Sequence, residues 1–481
     1  MNTTYHIPKE LGILKNSEES ILFNSKNVNP VYFVQGGDEV YKFLKNSQKS
    51  GGVVEINEDY ENKEFFEFLC FHSLLLREKE EVFLNEKNCS SCQVGEHLSS
   101  SRSVYLLLTQ SCNQACVYCL NGVETYQKAN KLMMNQGIAY RAVKETFESI
   151  TENGNLEVVF FGGEPLMNWN LAKQIIDYCE NVLKKQSPTK SIHYHLTSNL
   201  TLMPKDLIEF AKRYHITFLI DVDGPELIHN ISRPFLTGKG SFYATAKNIE
   251  RLLKAGLEVA LRATITTHNH DKMLEVTKTH KELGGNSSAF VPLNPVDSDI
   301  QIISQRLWPN SKNVSHGLKE VYHSGIWDKK NIFPFNEYSS RLVPGHKNQY
   351  SCGAPHGNTP VITVDGKIYS CIYLVGNEKY EIGDLAKNDF PRQNKIQMMK
   401  EIVDIENREK CKECTLRNLC GGGCPVGIFS IADNPKASQE VKNYVQEMSC
   451  TLSYTVLNEL LWDIAKRKKD EYYKINIGDN S

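Results

Sequence analysis

Between residue 103 and about residue 300 the chain alternates two kinds of segment. Short apolar runs, SVYLLLTQSC, LEVVFFGGEP, IHYHLTSN, ITFLIDVDGP, LEVALRATITT and AFVPLNP, each end in glycine or unusual polar residues. Between them GIAYRAVKETFESI, LAKQIIDYCENVLKK and FYATAKNIERLLKAG carry apolar residues near helical spacing. Near-continuous apolar strands alternating with such helices predict a parallel sheet covered by helices. Six units of this kind predict an α/β fold, a partial (β/α)6 barrel in which chemistry gathers at the C-terminal strand ends. The odd residues fall at those ends.

The flanks read differently. Over residues 1–90, ESILFNS and PVYFVQ have strand character while DEVYKFLKNSQ and NKEFFEFLCFHSLLLREKEE have helical character, which predicts a small α+β unit. A polar, serine-rich linker follows at 91–102. The barrel segment spans 103–310 and a bridging region 311–344. Residues 345–466 are turn-rich and cysteine-rich and close on an amphipathic helix near 438–466, before a charged tail at 467–481.

Composition narrows the class. A chain of 481 residues exceeds one ordinary core, so several domains are expected. The net charge of −2 gives no nucleic-acid footprint. MNTTYHIPKE lacks the basic and apolar regions of a secretion signal. No apolar run nears the roughly 20 residues that span a bilayer, so a cytoplasmic protein with no membrane partner is expected. Fourteen cysteines there call for a reason other than disulfides. Ten of them group at Cys112, Cys116 and Cys119 and again at Cys352, Cys371, Cys411, Cys414, Cys420, Cys424 and Cys450, a pattern of metal ligation. Cys70, Cys89, Cys92 and Cys179 stand apart, and the lone Cys89-x2-Cys92 pair reads as linker thiols.

SCNQACVYC, directly after the first strand, supplies three thiols, one short of a closed zinc site. A partial zinc site is one reading; three corners of a [4Fe-4S] cube, with the fourth iron left for a ligand, is the other. With Tyr118 before the last cysteine, the motif resembles the signature of radical S-adenosylmethionine (SAM) enzymes. FFGGEP on the next strand resembles that family's GGE motif and corroborates the likeness. The resemblance implies that Cys112, Cys116 and Cys119 hold a [4Fe-4S] cluster. It also implies that Gly162, Gly163 and Glu164 meet the SAM amine, that Tyr118 lies against SAM, and that Thr197, Ser198 and Asn199 sit at the ribose. Arg262 pairs either the SAM carboxylate or a structural acid. Asp221 and Asp223 either touch ribose or substrate or make a turn. His193 and His195 share a strand face without an evident third metal ligand.

The C-terminal cysteines read C-x13-G-x4-C at Cys352, Gly366 and Cys371, then Cys411-x2-Cys414-x5-Cys420-x3-Cys424, then Cys450. Taken alone, the four close cysteines suit zinc. The full order resembles the SPASM extension of radical SAM enzymes, which implies two auxiliary [4Fe-4S] clusters. Cys411, Cys414, Cys420 and Cys450 would hold one, and Cys352, Cys371 and Cys424 three corners of the other. Where sulfatase-maturing relatives add a further cysteine, this chain has His346. Either His346 substitutes or the cluster is open to a substrate thiolate, and the open site suits a reaction joining sulfur to carbon. Ile372 stands where those maturases carry an aspartate, and CIYLVGNEKYEIGD resembles thioether-forming, SCIFF-type peptide maturases.

The implied protein is a radical SAM/SPASM peptide maturase with SAM and three [4Fe-4S] clusters. Its expected partners are a ribosomal precursor peptide with a leader and an electron donor such as flavodoxin or ferredoxin. Residues 1–90 resemble the winged-helix, PqqD-like units that bind such leaders. The product would be an intramolecular thioether. Carbon–carbon or carbon–oxygen crosslinking, formylglycine formation in a sulfatase, and a zinc-binding peptide adaptor are the alternatives. No catalytic base is assigned.

Overall fold

A computed structural model describes residues 2–17, 19–33, 35–57, 63–77, 99–119, 133–294, 305–342, 350–389, 391–431 and 437–478. Cys89, Cys92, His346 and the linker before Ser99 lie outside the described residues.

Strand β1 (Asn2–His6) pairs antiparallel with β5 (Val53–Asn57). Strands β2 (Leu11–Asn16), β3 (Glu19–Asn24) and β4 (Asn27–Phe33) form an antiparallel meander. Helices Gly37–Lys49 and Lys63–Phe71 complete the unit. Successive side chains of a strand point to opposite faces, and β3 buries both. Leu22 joins a local core with Tyr5, Leu44 and Leu69. Ile21 and Phe23 face the other way, into a core shared with Leu457, Leu461 and Trp462 of the long helix Gln439–Gly478. The Asn418 amide donates to Ser25 Oγ at 3.0 Å in the same buried seam.

The six predicted strands are present as β6 (Ser99–Leu107), β7 (Ile150–Phe161), β8 (Ser191–Ser198), β9 (Thr217–Asp221), β10 (Val259–Ile265) and β11 (Ser287–Pro292). They lie side by side in chain order and all run parallel. An order without reversal belongs to a barrel-type winding rather than a doubly wound sheet. Strand β12 (Ile332–Phe333) extends one edge. At the other edge β13 (Val361–Ile362) pairs parallel with β6, followed by antiparallel β14 (Lys367–Tyr369) and β15 (Glu381–Asp384). The cysteine-rich segment is thereby stitched onto the first barrel strand.

The strands are less uniformly apolar than their composition predicts. In β10, Val259, Leu261, Ala263 and Ile265 are buried while Ala260, Arg262 and Thr264 alternate as half-buried. One face lies in the core with the helices, where each fully buried Leu or Ile contributes about 1.5–3 kcal/mol. The other face carries polar side chains. No helix among the described residues is long and apolar enough to cross a membrane.

Candidate functional site

The cysteine loop and the glycine turn are built against each other. After β6, Leu108 N–H donates to Phe161 O, Gly163 N–H to Thr109 O at 2.8 Å, and Glu164 N–H to Ser111 O at 2.8 Å. Gly162 has a φ of 136°, and a Cβ there would stand 2.5 Å from Thr109 O. A Cβ on Gly163 would overlap the Ser111 carbonyl oxygen and stand 2.6 Å from its carbon. The two glycines therefore admit the backbone that carries Cys112.

The Glu164 side chain is fully buried and turned inward. It accepts hydrogen bonds from Leu166 N at 3.0 Å, Ser198 Oγ at 2.8 Å and Asn199 N at 2.9 Å, tying the end of β7 to the end of β8. Burial pushes its carboxyl up to about 7, against the pull of those three donors. Asn199 donates through Nδ2 to Cys112 Sγ at 3.7 Å and to Asn113 Oδ1 at 3.1 Å. Thr197 and Ser198 are buried beside it.

Backbone bonds dock the loop on the segment after Asp223: Ala115 N–H donates to Pro234 O and Val117 N–H to Ser232 O. Gln114 Nε2 donates to Ser241 Oγ at 2.8 Å. Burial pushes the Cys112 thiol up to about 12 and the Cys116 thiol well above its usual value. Cys119 is close enough to add to both shifts. The three thiols are thus neighbours.

Asp221 and Asp223 anchor a buried ion network. Arg233 reaches Asp221 Oδ2 at 3.3 Å and Asp223 Oδ2 at 3.1 Å, and Arg262 reaches Asp221 Oδ1 at 2.7 Å. Tyr118 OH donates to Asp223 Oδ2 at 2.5 Å. Burial raises both carboxyls. Two guanidiniums overcome it at Asp221, which ends below its usual value, whereas at Asp223 one guanidinium with the Tyr118 and Thr264 donors does not, and it ends above. Arg233 is a member of this network with no mark in the sequence; the acids at and just after the end of β9 were the signal that a cation must come from elsewhere.

The seven C-terminal cysteines fall into two neighbourhoods. Cys371 and Cys424 each feel Cys352 electrostatically, and burial pushes both thiols up to about 12. Cys411 and Cys420 instead feel Cys414 and Cys450. Cys352 and Cys424 keep accessible surface although dense packing surrounds their sulfurs. Gly421, with φ of 66°, lets the 421–424 turn lie on the backbone at Tyr350, and Ser351 Oγ donates to Gly423 O. Burial pushes the Tyr373 phenol up to about 12, with smaller effects from Arg262, Cys424, Cys371 and Asp221.

His195 is occupied by Glu157 on one ring nitrogen and Thr217 Oγ1 on the other, with His193 on the same strand face. Among the described residues no three His, Cys, Asp or Glu side chains converge on one ion-sized point. A four-iron cube sets each thiolate on a different iron, so its ligands stand further apart than those around a single ion. Thiol trios and quartets that are electrostatic neighbours fit such a group, and none of the described cysteines is in a disulfide.

The sequence model of the Radical SAM superfamily matches residues 106–295. The radical SAM cyclopropyl synthase TigE of Paramaledivibacter caminithermalis is 26% identical, spanning 53% of this chain and 59% of its own. A cysteine-type anaerobic sulfatase-maturating enzyme of Clostridium novyi is 24% identical, spanning 66% of this chain and 85% of its own. Native anSMEcpe with bound AdoMet and Cp18Cys peptide shares the fold, with TM-score 0.57 at 18% identity over 76% of this chain and 99% of that one. The superfamily uses SAM and a [4Fe-4S] cluster. The chain carries a radical SAM domain at residues 106–295, the domain of an enzyme, with homologues among anaerobic sulfatase-maturating enzymes and the TigE cyclopropyl synthase.

Proposed function

We propose that the enzyme is a peptide maturase that removes hydrogen from a carbon of a ribosomally made precursor and joins a cysteine sulfur of the same peptide to that carbon. Cys112, Cys116 and Cys119 would hold the SAM-binding cluster, with Tyr118, Gly162–Glu164, Thr197–Asn199 and Arg262 shaping the SAM site. Bound SAM and its cluster supply one-electron cleavage and hydrogen-atom abstraction. Cys411, Cys414, Cys420 and Cys450 would hold a closed auxiliary cluster. Cys352, Cys371 and Cys424 would hold one with a corner left for a substrate thiolate. As one C–H and one S–H are replaced by C–S, one hydrogen atom would leave with the deoxyadenosyl group of SAM, the thiol proton would go to solvent, and the second electron would pass to the cluster at Cys352, Cys371 and Cys424.

One observation carries this reading: β13, between Cys352 and Cys371, pairs parallel with β6, the strand that leads into Cys112, so the cysteine-rich segment is joined to the barrel beside the cysteine loop's own strand. A thiol held at the Cys352, Cys371 and Cys424 trio would be presented from the segment joined to the first barrel strand. The related enzymes named for sulfatase maturation, and the anSMEcpe structure with its Cp18Cys peptide, support a peptide substrate. Strand β2, an outer strand of the three-stranded front sheet, offers its edge to a leader as an added strand. An external flavodoxin or ferredoxin would supply the first electron.

The test uses anaerobically reconstituted enzyme, SAM, reductant and cysteine-containing candidate precursor peptides, read by mass spectrometry before and after thiol alkylation. Loss of two hydrogens with one thiol no longer alkylating is expected. Every thiol remaining reactive would overturn thioether formation in favour of a carbon–carbon or carbon–oxygen link. Cys371→Ala should retain SAM cleavage and lose the crosslink, whereas Cys112→Ala should lose both.

A further inference from the structure

Arg233 is 5% exposed and held from several sides. Two carboxylates fix its guanidinium, at 3.3 Å for Asp221 and 3.1 Å for Asp223. Its guanidinium carbon stands 5.4 Å from the centre of the Tyr118 ring. Its carbonyl accepts from Ser241 Oγ at 2.5 Å, and that same hydroxyl pairs with Gln114 of the cysteine loop and with His229 Nε2. The remaining reach of the guanidinium is toward sulfur: Nη1 lies 3.9 Å from Cys116 Sγ.

We propose that Arg233 is a positioning residue for the cluster at Cys112, Cys116 and Cys119, holding the Cys116 thiolate and raising the potential at which that cluster accepts its electron. The inference rests on the cluster assignment above. Reduction takes one electron from the donor and leaves the cluster one charge more negative, with no bond made or broken in the protein. Net charge and hydrogen bonds to the ligand sulfurs set that potential. A fixed positive charge in a poorly screened interior stabilises the reduced form. Asp221 and Asp223 oppose this, but they are the acceptors that aim the guanidinium, and Asp221 is shared with Arg262. A low-potential cluster thereby comes within reach of a protein donor.

The test is a redox titration of the anaerobically loaded holoenzyme with dithionite, followed by electron paramagnetic resonance. The part of the signal that changes on adding SAM reports the Cys112–Cys119 cluster. At the parent's midpoint, Arg233→Gln should lower the reduced-to-oxidised ratio about tenfold, which for a one-electron couple is about 59 mV. Arg233→Lys, which keeps the charge, should stay within about threefold of the parent. Where Arg233→Gln fails to load, the double variant Arg233→Gln/Asp223→Asn removes the ion pair whole, and a fall in its ratio supports the inference. An unmoved ratio in whichever of these loads, or an equal fall in Arg233→Lys, overturns it. A parent without any SAM-responsive signal removes the cluster assignment and this inference together.

Discussion

Gly163→Ala isolates the contact on which the site depends. The added methyl overlaps the Ser111 carbonyl oxygen and lies 2.6 Å from its carbon, and neither atom can move by a rotamer change. Relief requires the backbone of the turn or of the cysteine loop to shift. Overpacking of this kind costs about 1–3 kcal/mol. The shift also strains the bonds from Gly163 N–H to Thr109 O and from Glu164 N–H to Ser111 O, worth about 1 kcal/mol each. A local cost of about 4 kcal/mol is close to three powers of ten in occupancy of the docked loop. Cys112 follows Ser111 directly, so the loss should appear as iron and sulfide reduced by one cluster, with SAM affinity at least about a hundredfold weaker. Amide exchange at Gly163 and Glu164 should speed up in the same variant. Gly137→Ala is the control, because its nearest neighbour would be Asn135 Oδ1 at 3.4 Å. A Gly163→Ala enzyme with full iron content, unchanged SAM affinity and unchanged exchange would refute the reasoning.

Two further outcomes follow from buried contacts. Because burial raises the Glu164 carboxyl from 4.5 to about 7, its charging opposes folding: stability falls by about 3 kcal/mol as pH rises from 4.5 to 7 and then levels. Glu164→Gln should abolish that slope in the exchange of the Leu166 and Asn199 amides, and a slope unchanged in the variant would exclude Glu164 as its source. Trp462→Ala, in the core shared with Ile21 and Phe23, should cost about 3–5 kcal/mol and loosen the front unit from the long helix, read as a lower thermal midpoint and faster cleavage by protease near residue 33. The same shared core means that deleting residues 1–90 uncovers the long helix as well as removing the proposed leader-binding unit, so reduced SAM cleavage is expected together with lost precursor binding.

The sequence alone determined what is local along the chain. Apolar periodicity marked all six parallel strands, because each strand's own residues bury one face. The thiols of SCNQACVYC and the glycines of FFGGEP were legible because such chemistry needs residue types at short spacing. What only the tertiary structure decided is which distant groups meet. Arg233 stands 117 positions from Cys116, in a polar stretch with no periodicity to mark it, and only the strand-end acids of β9 bring it there. The motif marked the Glu164 carboxyl, but only the fold supplies the Ser198 and Asn199 donors at the end of β8 that join Leu166 N in orienting it. Strands β13 to β15 are too short to carry a pattern of their own and exist because β6 offers them an edge. Segments 72 positions apart bring Cys352 beside Cys424, since a left-handed glycine turn can lie on another backbone where a side chain cannot. Spacing fixes which ligands a short loop can offer; burial and charge balance, which act through space, fix what surrounds them.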